Sequence, residues 1–179
     1  MAKVNETAIQ KLRRGILLVI IGSVILFLGA AAVSFYSVQI RNNLVSVYSA
    51  VSLLILIIGA AIDLMSTPNI YAGFKIMEHT DKGYILGMYG VLLQIIASVL
   101  LTLGFYFIIF NGASDLPLGF GFAIVGYTIG AACSTPIGLA FYRLGERYDV
   151  TKAKYRAAAY VLLPIIGPII LYFGLKKIR

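Results

Sequence analysis

The sequence predicts an all-α integral membrane protein with five transmembrane helices, a cytoplasmic N-terminus and a parallel duplication of a helix-loop-helix unit. Three observations lead there. Hydrophobic residues make up 60% of the chain and charged residues 12%, against about 25% charged in soluble domains. The apolar residues fall into five blocks, 15–36, 44–74, 84–110, 120–142 and 157–175. Four of these reach the ~20 residues a helix needs to cross a hydrocarbon core, and the last is marginal. Residues 66–81 also recur without a gap 68 positions later, which is the mark of a repeated architectural unit.

Spanning blocks are expected to be helical, because backbone N–H and C=O groups in lipid need partners within the segment. They also lack the alternating polarity of a membrane barrel strand. Residues 1–179 therefore read as one polytopic membrane domain. Thr7 and Gln10 have capping-box spacing and start the first helix ahead of its apolar block. That block has the outline of a signal peptide, with Arg13-Arg14 before it and Gly29-Ala30-Ala31-Ala32 inside it. It is expected to remain as the first span.

The second block carries Ser66-Thr67-Pro68, and the fourth carries Ser134-Thr135-Pro136. Each proline removes a helix hydrogen bond and frees a carbonyl one turn back, at Leu64 and Ala132. The match continues from Phe74-Lys75-Ile76-Met77-Glu78-His79-Thr80-Asp81 to Tyr142-Arg143-Leu144-Gly145-Glu146-Arg147-Tyr148-Asp149. Each copy is a helix leaving the bilayer followed by its polar loop, so the duplicated units cover 52–110 and 120–175. Glu78 and Glu146 stand three residues after Lys75 and Arg143, at a spacing that allows pairing on a helix edge.

Orientation follows from the basic residues, which hold their span ends on the cytoplasmic side. With the N-terminus inside, five spans place 11 Lys and Arg residues in the cytoplasm and 4 outside. The last segment contains Leu163-Pro164-Ile165-Ile166-Gly167-Pro168, which would suit a re-entrant bend. A bend would move the tail inside and change the split to 14 and 1. The repeat pairs this segment with 84–110 and so favours a full crossing over 157–175.

The repeat register also sets depth. Phe74 matches Tyr142 at the charged edge, so the second span covers 52–74 and Asp63 falls near mid-membrane. Asp63 lies 12 residues before Lys75, and Gln94 lies 12 residues after Lys82 on the next antiparallel helix, each about 18 Å from the edge. Their side chains can meet. A carboxyl at that depth costs about 2.5–3.5 kcal/mol on insertion scales and marks a functional candidate. The structural reading is a protonated Asp63 bonded to Gln94, Ser66 or Thr67; the functional reading is proton or cation handling. The second copy has Ala131 at this position.

Gly126, Gly130, Ser134 and Gly138 put a small residue at every fourth position of the fourth span. That pattern draws a groove for another helix, within the monomer or from a second subunit. Arg143, Arg147, Lys152, Lys154 and Arg156 form the densest basic loop and are expected to face lipid headgroups. A net charge of +8 raises nucleic-acid binding, but the basic residues are split among short loops without a reading module. The lone histidine, His79, cannot form a metal cluster by itself, and Cys133 is the one cysteine. No metal, cofactor or catalytic constellation is expected, so enzyme activity is not.

Leu12-Arg13-Arg14-Gly15 and Tyr142-Arg143-Leu144-Gly145-Glu146-Arg147-Tyr148 resemble an uncharacterised family of archaeal multi-span membrane proteins found mainly in thermoacidophiles. The resemblance covers almost the whole chain. It implies an archaeal cell membrane and carries no activity, ligand or catalytic residue. Two functions remain: a non-catalytic structural or accessory membrane subunit, or a small transporter or channel for protons, ions or a small solute using Asp63. Expected partners are membrane lipids and a homo-oligomer or larger membrane complex.

Overall fold

A computed structural model describes residues 5–39, 45–110, 116–148, 154, 157, 160, 166–176 and 178. Four long helices follow one another: α1 (Glu6–Gln39), α2 (Val45–Glu78), α3 (Ile85–Phe110) and α4 (Leu116–Arg147). A short helix, α5 (Ile166–Leu175), comes last. The four long helices are long and apolar enough to cross a membrane. The first helix begins earlier than the Thr7–Gln10 spacing suggested. Its cap is Asn5, whose Oδ1 accepts from Ala8 N–H at 3.2 Å, which is the normal way for an asparagine to satisfy an unpaired first-turn donor.

α1 packs along α2, and α3 packs along α4. Both pairs are antiparallel and share one rule. In α1, Gly15, Gly22 and Gly29 recur every seven residues, and in α2 Gly59, Ser66 and Gly73 do the same. α3 presents Gly90, Ala97 and Gly104 to Gly119, Gly126, Cys133 and Ala140 of α4. A seven-residue repeat keeps one stripe of each helix on its partner over many turns, because the helices coil slightly around each other. Small residues on that stripe bring the backbones into contact. A Cβ on Gly22 would lie 2.8 Å from Asp63 N, and one on Gly104 would lie 2.6 Å from Ala123 N.

The two pairs meet through α2 and α3. α2 turns into α3 through a 3-10 turn, Lys82–Tyr84, capped by Asp81 Oδ1 accepting from Gly83 N–H at 2.8 Å. Beside this turn an aromatic cluster joins the pairs: the Phe74 ring stands 5.1 Å from Phe141 and 6.2 Å from Tyr84, and Phe141 stands 6.0 Å from Tyr160.

The segment expected to cross at 157–175 has described residues at its two ends. Lys154 is 3.7 Å from Glu146 near the end of α4. The other end of the segment returns to the same side, where Arg13 Nε and Nη2 donate to Leu175 O at 2.9 and 2.6 Å, and Nη2 donates to Ile178 O at 2.7 Å. Residues 161–165, which include Pro164, lie outside those described. α5 has 10 residues, about 15 Å of helix and half a crossing. The guanidinium satisfies carbonyls that a helix end leaves bare and opposes the negative end of its dipole.

Gly22→Val is expected to lower the thermal unfolding midpoint in detergent, corresponding to about 1–3 kcal/mol of overpacking. Gly121→Ala, where an added Cβ meets nothing within 4 Å, is expected to leave it within about 0.5 kcal/mol. Equal effects at the two positions would contradict the packing described.

Candidate functional site

Among the described residues, the buried charge-bearing side chain belongs to α2. Asp63 is only 6% exposed, and it is approached from α3 and from α1. From α3, Gln94 Nε2 donates to Asp63 Oδ2 at 3.5 Å and Ser98 Oγ donates to the same oxygen at 3.3 Å. From α1, Gly22 lies against the Asp63 backbone so closely that no side chain fits between them. Tyr160 is buried, with its ring 6.0 Å from Phe141.

The Gln94 partnership is the one the helix ruler expected. Ser98 is a partner that sequence reasoning missed, although it stands one turn beyond Gln94 on the same face and the signal was present. Ser66 and Thr67 are buried beside Asp63 but serve the backbone. Ser66 Oγ donates to Asp63 O at 2.5 Å, and Thr67 Oγ1 donates to Leu64 O at 2.7 Å. Pro68 has no N–H to give Leu64 O, so the threonine hydroxyl takes over at the carbonyl the proline leaves bare. α4 repeats part of this device. Ser134 Oγ donates to Ala131 O at 2.7 Å, the bond equivalent to Ser66–Asp63 after a shift of 68 residues.

What can this arrangement do? A carboxyl group with two long side-chain bonds ties α2 to α3 at the depth where the helix pairs meet. A polar contact of this kind contributes about 0.6 kcal/mol on average between membrane helices. Burying the group away from lipid on all sides costs less than leaving it exposed there.

The four-residue stripe of α4 is distributed over several surroundings. A Cβ on Gly126 would collide with the α3 backbone at Leu101 N and Ala97 O, one on Gly130 would lie an ordinary 3.7 Å from Ala97 Cβ, Gly138 is buried and Ser134 is half-buried. The closest approach to α3 follows the seven-residue series, which overlaps the four-residue stripe at Gly126.

At the basic end, several cations have protein partners. Arg143 Nη1 lies 3.8 Å from Asp81 Oδ1, and Lys154 lies 3.7 Å from Glu146 and 6.0 Å above the Tyr142 ring. Among the described residues, the pairing across the edge of α4 is thus Arg143 with Asp81 of the α2–α3 turn, in place of Arg143 with Glu146. Arg147 Nη1 donates to Thr80 Oγ1 at 2.6 Å. Lys152 and Arg156, also read as headgroup contacts, lie outside the described residues.

A family model described as "Protein of unknown function (DUF973)" matches residues 5–179. No curated protein and no solved structure matches the chain.

Thr67→Val is expected to cost about 1 kcal/mol, because it leaves the Leu64 carbonyl bare below Pro68. Thr128→Val removes a hydroxyl that donates to Ile124 O from an exposed face at 2.8 Å, with no proline nearby to strand that carbonyl, and is expected to be near neutral. Chemical unfolding of the two variants in detergent gives the comparison.

Proposed function

The chain belongs to this family of unknown function, and from its geometry we propose a non-catalytic integral membrane protein that serves as a membrane-embedded structural or accessory subunit. One observation carries the reading: Asp63 is 6% exposed, closed in by Gln94 and Ser98 on one side and by the backbone of Gly22 on the other. A carboxyl held in this way acts as a tie between helix pairs. The alternative, a small transporter or channel for protons, ions or a small solute, needs water to reach Asp63 and is less well supported by these surroundings.

The proposal includes an orientation. Four crossings with the N-terminus in the cytoplasm, and a final segment that enters and leaves on that side, put 14 basic residues inside and 1 outside, a stronger bias than five crossings give. It also includes a parallel duplication. The support is the Ser-Thr-Pro copies, the equivalent serine bonds at Ser66 and Ser134, and the seven-residue small series in both pairs. In the resulting register, Gly15, Gly22 and Gly29 align with Gly83, Gly90 and Ala97 at the same shift of 68, which extends the repeat to α1. The proposed setting is a cell membrane, archaeal by the resemblance. The proposed partners are lipids and a second copy or larger membrane complex, without nucleic acid.

Purified protein in sealed vesicles is expected to pass protons and monovalent cations no faster than empty vesicles do. A flux that Asp63→Asn abolishes would overturn the structural reading in favour of transport. In whole cells, epitope tags at the N- and C-termini are expected to be protected from external protease together. Exposure of the C-terminal tag alone would restore a fifth crossing.

A further inference from the structure

We draw no further inference here: the strongest candidate, the outward face of α4 on which Gly121, Thr128, Ala132 and Thr135 form an exposed stripe of small residues, carries nothing, because nothing in the structure shows what covers it.

Discussion

Backbone contact between helices, made possible by a small residue at every seventh position, is the constraint on which the rest of this structure depends. Lipid tails are as apolar as leucine, so helices in a bilayer gain little from hiding hydrophobic side chains from one another. Close packing has to supply the difference. Gly22 against Asp63 and Gly104 against Ala123 bring backbones together where larger side chains would hold them apart. The large side chains are left to face outward, as Phe27, Met65, Tyr89 and Tyr127 do, which is the expected arrangement for helices solvated by lipid.

The deep polar site follows from that packing. With a side chain at position 22, α1 would stand farther from the α2 backbone at Asp63. With glycine there, the carboxyl has backbone on one side and Gln94 and Ser98 on the other. The proline one turn further on is accommodated by the same economy of local bonds, since Thr67 covers the carbonyl that Pro68 leaves bare. At the basic end the ties change character. Phe74, Phe141 and Tyr160 join the pairs through rings, and Arg13 fastens the end of α5 through its carbonyls.

Much of this was legible in the sequence because membrane helices follow length and composition. The four long helices coincide with four apolar blocks, and counting 12 residues from Lys75 and Lys82 brought Asp63 and Gln94 to one depth. Ser98 was legible too, one turn beyond Gln94, but the sequence does not mark which face of α3 turns inward. The seven-residue series was masked by a four-residue stripe that shares Gly126 with it; both describe small residues, and only the partner helix distinguishes them. The last segment was ambiguous in the sequence for a different reason. Its apolar length allows either a crossing or a return, and the interaction behind the proposed return, Arg13 with Leu175 and Ile178, joins residues 162 and 165 positions apart. No local pattern encodes such a bond.

The central claim is that α1 seals Asp63 within the packed helices. The most direct measurement is thiol labelling of Asp63→Cys in a Cys133→Ala background, using a charged, membrane-impermeant maleimide applied from each side in turn. The account predicts that the introduced thiol stays unlabelled in intact vesicles and reacts once the protein is unfolded in denaturing detergent. Rapid labelling of the folded protein from either side would reveal a water-filled path to this position and would contradict it.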